Sequence, residues 1–490
     1  MEEVKDKGTN RFKRLFRMRH TDVKSFPGPY INPWLRLTIY LVMIFLTGCI
    51  YIGWNGIQEL LYKAGSFEHL CEGATDISYI SIGEAKYIDC GARKSGINNL
   101  YTIAFSTHFI SSIISGIVLD NIGPKYCYVV GQFINIIVWI FISTFPKQPI
   151  VLYGGFFLIG LTAESIYMPL ITVSYYFPEN RLFIISCLGS TRSLSFVIPT
   201  ILAAIFRLDY FKPDSLYIIG ITYVILGNFF CLVVGACTIQ RYFFIDESPA
   251  EPETPESARS VDESVNAVTN QGNGFSRIVK RAKQLYKHPQ CLEYVLVTAC
   301  ISIFLTSMEF VNKSQREMLV TSDGGSVVGL FKYVNILTFL PAPLLGLLMD
   351  KFGPAVVFVL LHACCSSYYF CVAFDTYTMK LVACFFYFIA GSLFISSNYC
   401  YINRRFYAKN FGVLTGIPFV FAGLVTLTNI PLYNLGTQKL KHLAPYNFRP
   451  IALILMTYMI VCAFLSCILV HISKTNPVQV YTKKSKSSQV

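Results

Sequence analysis

The sequence predicts an all-α polytopic membrane protein with twelve transmembrane helices arranged in two six-helix halves. Only 14% of the 490 residues are charged, whereas soluble domains carry about 25%. The apolar residues fall into separate runs of about 20, the length of helix that spans a hydrocarbon core. A long polar stretch divides these runs into two sets of six. Because the runs are continuous rather than alternating, they argue against a transmembrane barrel.

The first six runs form the N-terminal half, residues 34–240, which follows a basic tail at 1–33. Their ends are placed to within several residues. The runs lie at 35–56, 97–119, 126–145, 150–173, 182–206 and 215–238.

The second six runs form the C-terminal half, residues 291–473, and a tail follows at 474–490. Within this half, Pro418 and Pro431 make the fifth run the weakest, although membrane helices tolerate proline. The runs lie at 292–312, 327–348, 354–374, 379–401, 411–434 and 450–472.

Residues 241–290 connect the halves and are predicted to form a cytosolic loop. The stretch 246–275 is rich in Pro, Glu, Ser and Asn, which predicts disorder. The basic stretch that follows, 277–287, predicts an amphipathic helix on the membrane surface. Of the 38 Lys and Arg in loops and tails, 25 lie on the side that carries both tails and this loop. That bias places both termini in the cytosol, and no cleavable signal peptide is expected.

The loop 57–96, between the first two runs, is predicted to lie outside the cell. Cys71 and Cys90 are the cysteines in this polar loop, and an oxidising compartment would allow them to form a disulfide. The other cysteines have no metal-binding spacing and are expected to be small buried side chains. We therefore expect no metal and no cofactor. The net charge of +13 is not accompanied by any nucleic-acid motif, so no nucleic-acid partner is expected.

A short motif occurs twice, in corresponding loops of the two halves. The chain reads GIVLDNIGPKY at 116–126 and GLLMDKFGPAV at 346–356. Gly116 and Gly346 would allow helices to approach closely. Asp120 and Asp350 could cap a helix or pair with a cation. The remaining glycines, Gly123 and Gly353, suit a tight turn before the proline that starts the next helix.

This repeat resembles the loop signature of the major facilitator superfamily, G-x-x-x-D-x-x-G-x-[RK]. The first copy keeps the cation at Lys125, and the second has Ala355 in its place. The resemblance implies the major facilitator fold, with these loops locking the inner side while the outer side is open. It also implies alternating access about a central site between the halves.

A narrower resemblance is carried by other segments. These are GCIYIGWNGIQELL at the end of the first helix, ESIYMPLITVSYYFPENR in the fourth helix and its exit, and FGVLTGIPF with NIPLYNL in the eleventh. Together with the acidic loop that holds Cys71 and Cys90, they resemble the apicomplexan amino acid transporter family. They are similar, more distantly, to the system-L facilitators. The resemblance implies a plasma-membrane carrier of a cationic or large neutral amino acid.

Four charged residues lie inside the predicted membrane runs, where a charge is expensive and marks a candidate site. A rise of about 1.5 Å per residue places Arg192 near mid-membrane and Glu164 slightly below it. Glu309 and Lys332 fall in the outer third. The four therefore predict two opposite-charge pairs on consecutive helices.

The first pair is the leading candidate for binding an amino acid. Arg192, helped by Ser190, could hold the substrate carboxylate, and Glu164 could hold the ammonium or a cationic side chain. The alternative is a purely structural ion pair. For Glu309 with Lys332 a structural or gating role is the favoured interpretation, and Glu309 stays a candidate for substrate binding.

Weaker candidates are polar residues elsewhere in the runs. Gly53 and Asn55 end the first run, where a broken helix could offer backbone groups. His108 is expected to hydrogen-bond between helices, and Asn398 and Tyr399 lie low in the tenth run.

The leading hypothesis is thus a secondary transporter, not an enzyme, that moves an amino acid and works as a monomer in the bilayer. Two alternatives remain open. One is a carrier of a monocarboxylate or sugar, and the other is a transport-inactive membrane sensor or scaffold whose central loop recruits partners.

Overall fold

The computed structural model describes residues 31–475, except for 74–76, 83–84, 178, 242–290, 407–410, 437–439, 441–442 and 444–445. The predicted disordered stretch and surface helix of the central loop lie outside the described residues. Almost all of both predicted tails lies outside them as well.

Helices make up most of the described N-terminal half. Three of them begin at a proline, Pro33, Pro124 or Pro149, because the first helical turn needs no N–H donor from that residue. In chain order the helices are α1 (Pro33–Thr47), α2 (Trp54–Lys63), α3 (Gly91–Ile122), α4 (Pro124–Thr144), α5 (Pro149–Ile171), α6 (Arg181–Leu194), α7 (Val197–Arg207), α8 (Leu216–Tyr223) and α9 (Phe230–Thr238).

The described C-terminal half is also helical. Its helices are α10 (Cys291–Lys313), α11 (Gln315–Met318), α12 (Val328–Leu337), α13 (Pro341–Phe352), α14 (Pro354–Val372), α15 (Tyr377–Ala390), α16 (Ser396–Arg405), α17 (Phe411–Thr426), α18 (Asn429–Asn434) and α19 (Arg449–Thr475). Pro418 lies inside α17 without ending it.

Eleven stretches of the described chain are long and apolar enough to cross a membrane. Nine are single spans, and two are bent pairs: α12 with α13 at 49°, and the stretch Tyr377–Leu393 with α16 at 47°. The first predicted helix is represented by α1, which has 15 residues and is separated from α2 by a break. The all-α polytopic fold is confirmed, and the count of twelve remains a prediction.

The predicted outer loop contains more structure than the sequence suggested. Helix α2 extends to Lys63, and a two-stranded antiparallel hairpin follows, β1 (Ser78–Ile82) with β2 (Ala85–Asp89). Cys71 and Cys90 flank this hairpin and are bonded to each other, with their Cα atoms 5.7 Å apart. The disulfide therefore closes the segment that contains the hairpin and anchors it at Cys90, the residue immediately before α3.

Two helix pairs make the main contacts between the halves. Helix α3 packs along α17, and α6 packs along α13. A Cβ on Gly116 of α3 would lie 2.2 Å from the Gly412 carbonyl oxygen, and one on Gly346 of α13 would lie 2.5 Å from the Ser186 hydroxyl. Glycine is thus what allows each pair of helices to come this close.

Candidate functional site

Two broken helices of the N-terminal half meet near the centre of the molecule. The chain leaves α1 at Gly48, passes through Cys49 in a left-handed conformation (φ 57°), and forms one 3₁₀ turn before α2. Helix α6 is similarly separated from α7 at Ser195 and Phe196. The Ser195 hydroxyl donates to the Gly48 carbonyl, so one break is hydrogen-bonded to the other.

The predicted site residue Gly53 lies at this junction. A Cβ at position 53 would be 2.3 Å from the Phe196 carbonyl oxygen, so only glycine fits between the two breaks. Asn55, two residues further along the chain, is half-buried on α2. The structure thus gives Gly53 a packing role.

Glu164 on α5 is fully buried and accepts hydrogen bonds from three side chains. His108 Nε2 lies 2.5 Å and Arg192 Nη2 lies 3.0 Å from its Oε1 atom, and the Tyr399 hydroxyl donates to Oε2. Tyr51 Oη lies 2.5 Å from His108 Nδ1. These distances fit a neutral His108 that accepts from Tyr51 at Nδ1 and donates from Nε2 to an ionised Glu164.

This cluster includes a residue from each half of the molecule. Glu164, His108 and Arg192 belong to the N-terminal half, whereas Tyr399 lies on α16 of the C-terminal half. The bond from Tyr399 to Glu164 therefore joins the two halves at the level of the buried charges, and it must break if the halves separate there.

Arg192 has unused hydrogen-bonding capacity although it is only 2% exposed. Its Cζ atom lies 4.0 Å from the centre of the Tyr167 ring, and Nη2 lies 2.6 Å from Cys49 Sγ. Within the described part of the chain, its Nε and Nη1 atoms are buried and have no hydrogen-bond partner. A buried donor left without a partner is costly, and a guanidinium suits a carboxylate that can take two of its N–H groups.

A cavity with about 260 Å³ of empty space adjoins Arg192. It lies between the broken α6–α7 and the bend between α15 and α16, so each half contributes one wall. The lining residues include Arg192, Ser193 and Phe196 from one half and Ser392, Phe394 and Ser396 from the other.

Ser190 and Glu309 occupy different positions from the cluster around Glu164. The Ser190 hydroxyl donates to the Phe339 carbonyl at the bend between α12 and α13, so Ser190 links the two halves. Glu309 is 2% exposed and accepts a hydrogen bond of 2.6 Å from Asn429 Nδ2.

The predicted pair of Glu309 with Lys332 is wrong. Lys332 is exposed on α12, whereas Glu309 is buried, and the described residues show no ion pair between them. Rise per residue indicates the depth of a side chain in the membrane, but it does not indicate which face of the helix carries it.

The two signature aspartates make matching contacts between the halves. Asp120 accepts hydrogen bonds of 3.0 and 2.9 Å from two backbone N–H groups in the first turn of α17. Asp350 accepts bonds of 3.2 and 2.8 Å from two N–H groups in the first turn of α6. Each carboxylate thus caps a helix of the opposite half, where the helix dipole favours negative charge.

The rest of the signature forms the turns beside these caps. Gly123 and Gly353 have φ of 106° and 90°, a conformation that glycine adopts readily. Pro124 and Pro354 then begin α4 and α14. Lys125 is half-buried in the first turn of α4. Both copies therefore fold in the same way, although only the first carries the basic residue.

Comparison with known proteins identifies the fold and the family. The family model described as Major Facilitator Superfamily matches residues 43–428. The chain belongs to the major facilitator superfamily. A solved structure of the nucleoside transporter NupG superposes with a TM-score of 0.51, covering 89% of this chain and all of that one at 15% identity. This likeness shows the fold alone.

Among named relatives, the chain resembles apicomplexan amino acid transporters. "Cationic amino acid transporter 8" of Plasmodium berghei is 25% identical, and the match covers 82% of this chain and 83% of the relative. "Aromatic and large neutral amino acid transporter 5-3" of Toxoplasma gondii is 24% identical over 82% of this chain and 78% of the relative. The chain is therefore an integral, multi-pass membrane protein and a secondary transporter of a small solute.

Proposed function

We propose that the protein carries an amino acid across the membrane by alternating access, with Arg192 holding the substrate carboxylate. The observation that carries this proposal is the pair of unpartnered Arg192 donors, Nε and Nη1, in a residue that lines the cavity between the halves. A carboxylate entering this cavity would satisfy donors that, among the described residues, are buried and unpaired. The named relatives, all amino acid transporters, support the same solute class.

Glu164 then has a supporting role. Its carboxylate already accepts from Arg192, His108 and Tyr399, and it keeps the Arg192 side chain charged and oriented. The substrate ammonium would instead meet neutral acceptors, such as the Ser193 and Ser392 hydroxyls and the carbonyls freed at the helix breaks. This assignment differs from the one that the sequence favoured for Glu164.

A large neutral side chain fits the described cavity walls better than a cationic one. Phe196, Phe394 and Ile395 supply apolar surface, and the lining residues include no carboxylate. A cationic side chain would lack an ion partner there, which is expensive in a dry site. We therefore place a large neutral amino acid first among the substrates.

A cationic amino acid is the second candidate because of Glu309. This carboxylate is buried and bonded to Asn429, and it forms no ion pair with any residue that the structure describes. It could take the charged end of an arginine or lysine side chain. Glu309→Gln would then abolish arginine uptake, whereas it should leave phenylalanine uptake within a few-fold if the substrate is neutral.

The carboxylate anchor is tested by competition with substrate analogues. In cells that take up labelled phenylalanine, unlabelled phenylalanine should compete, and phenethylamine, which has no carboxylate, should not. Leucine should compete better than lysine. Competition by phenethylamine as strong as that by phenylalanine would contradict the role of Arg192.

The same proposal includes the surroundings of the carrier. We place it in the plasma membrane as a monomer, with both termini and the central loop in the cytosol, as the charge bias predicts. The caps made by Asp120 and Asp350 would then hold the cytosolic side closed. A monocarboxylate or sugar carrier and a transport-inactive sensor remain the alternatives. They are tested by the same uptake measurement, since neither would move phenylalanine.

A further inference from the structure

A second cavity lies at the opposite end of the C-terminal half from the signature loops. It has about 340 Å³ of empty space, and its walls come from the segment after α10, the end of α14 and the starts of α15 and α19. Helix α14 begins directly after the signature turn at Gly353 and ends at Val372. The cavity therefore lies at the end that the predicted orientation places outside the cell, and we call it the outer cavity. It shares no lining residue with the cavity beside Arg192.

One wall of this outer cavity carries a buried lysine. Lys380 is only 5% exposed, and its Nζ atom donates a hydrogen bond of 2.7 Å to the carbonyl of Val372, the last residue of α14. The negative end of a helix dipole favours a cation at that position. An ammonium has three N–H donors, and the described residues provide a hydrogen bond for one of them.

Another wall carries a carboxylate with one unused oxygen. Glu317 Oε1 accepts a hydrogen bond of 2.7 Å from the Tyr433 hydroxyl. Its Oε2 atom is buried and has no partner within the described part of the chain. Glu317 and Lys380 do not pair with each other, although both line the same cavity.

Two further charged residues, Asp375 and Arg449, line the cavity. Asp375 is occupied by the Ser322 backbone N–H at 3.0 Å and by the Ser322 hydroxyl. Arg449, at the start of α19, is exposed at the rim. A buried cation and a half-buried anion with spare hydrogen-bonding capacity thus face one space that neither fills.

We propose that this outer cavity binds a free amino acid as a zwitterion. The ligand ammonium bonds Glu317 Oε2, and its carboxylate bonds Lys380 Nζ, with Arg449 at the entrance. A zwitterion offers an ammonium to Glu317 Oε2 and a carboxylate to the Lys380 donors that no described residue uses. A simple cation or a simple anion would use only one of these two groups. Met318, Phe374 and Phe448 supply an apolar surface for the ligand side chain. The site is separate from the transport site and faces the outer solution.

The test is the binding stoichiometry of labelled phenylalanine on the purified full-length protein. We expect two molecules per chain. Lys380→Met and, separately, Glu317→Gln should each remove one of them. Arg192→Met with Glu164→Gln should remove the other, and adding Lys380→Met to that pair should remove both. Phenethylamine lacks the carboxylate, and 3-phenylpropionate lacks the ammonium. Each should compete for the outer site at least tenfold more weakly than unlabelled phenylalanine does.

A matched control is Lys147→Met, which removes another outer lysine that pairs with Asp214 at 2.8 Å on the exposed surface. It should leave both sites intact. Retention of full stoichiometry by both Lys380→Met and Glu317→Gln would overturn the outer site, whatever the central site does. If Lys380→Met and Glu317→Gln each lose one bound molecule while the double variant Arg192→Met with Glu164→Gln loses none, the outer site stands. That result would count against the proposed transport site. Because Glu317→Gln preserves size and leaves Lys380 in place, it gives a second reading if Lys380→Met fails to fold.

Discussion

Removing both charges of the Glu164–Arg192 pair separates a binding role for Arg192 from a structural one. Both side chains are at most 2% exposed, and Arg192 Nη2 lies 3.0 Å from Glu164 Oε1. Arg192→Met alone leaves a buried carboxylate without its cation, which typically costs about 3–5 kcal/mol. Folded domains are stable by only about 5–15 kcal/mol. We therefore expect the single variant to reach the surface poorly.

The double variant Arg192→Met with Glu164→Gln should restore folding. The glutamine side chain that replaces Glu164 keeps an oxygen to which His108 Nε2 can donate, and methionine keeps much of the volume that arginine fills over Tyr167. If Arg192 is the carboxylate anchor, its loss weakens substrate binding by about 2–5 kcal/mol. That corresponds to an affinity loss from about 30-fold to several thousand-fold.

The assay compares surface expression with initial uptake of labelled phenylalanine. We expect near wild-type expression of the double variant and no measurable uptake. The matched control is Glu293→Gln with Arg405→Met, which removes another buried ion pair. Arg405 Nε and Nη2 lie 2.6 and 2.8 Å from the Glu293 carboxylate oxygens, and the Tyr401 hydroxyl also donates to that carboxylate. This control should retain both expression and uptake. Near wild-type uptake by the Arg192 double variant would refute the anchor role.

Three further predictions concern the gate, the outer loop and the topology. Asp120→Asn weakens a helix cap worth about 0.5–2 kcal/mol, so the maximal uptake rate should fall while the apparent affinity stays within a few-fold; a selective loss of affinity would contradict this. Thiol reagents should not label Cys71 or Cys90 on intact, unreduced protein, and mutating either should expose the other to labelling. Tags at residues 2 and 488 should become accessible to antibody only after permeabilisation, and detection on intact cells would reverse the predicted orientation.

The fold was predictable because its main signals are local or repeated. The length of the apolar runs indicates membrane helices, and the duplicated loop at Asp120 and Asp350 indicates two related halves. The helix breaks were harder to predict, since an apolar run has the same composition whether its helix is straight or bent. Gly391 and Ser392, small residues inside the tenth run, were the available signal for the bend beside Phe394.

The site was predictable only in part. Depth estimates placed Glu164 and Arg192 at similar levels, and the structure brings them together. The same estimate failed for Lys332 because depth does not determine the direction of a side chain around the helix. Tyr399 could not be assigned to the cluster from sequence, since its bond to Glu164 crosses between the halves and depends on how they dock.

The central claim, that this transporter carries an amino acid, is tested most directly with purified protein in proteoliposomes. Uptake of labelled phenylalanine, leucine, arginine, lactate, glucose and adenosine would be measured at equal concentrations. Empty vesicles and the Arg192→Met, Glu164→Gln variant would serve as controls. We expect saturable uptake of phenylalanine or leucine that excess unlabelled substrate abolishes and that the variant lacks. Saturable uptake of lactate, glucose or adenosine without any amino acid uptake would contradict the account.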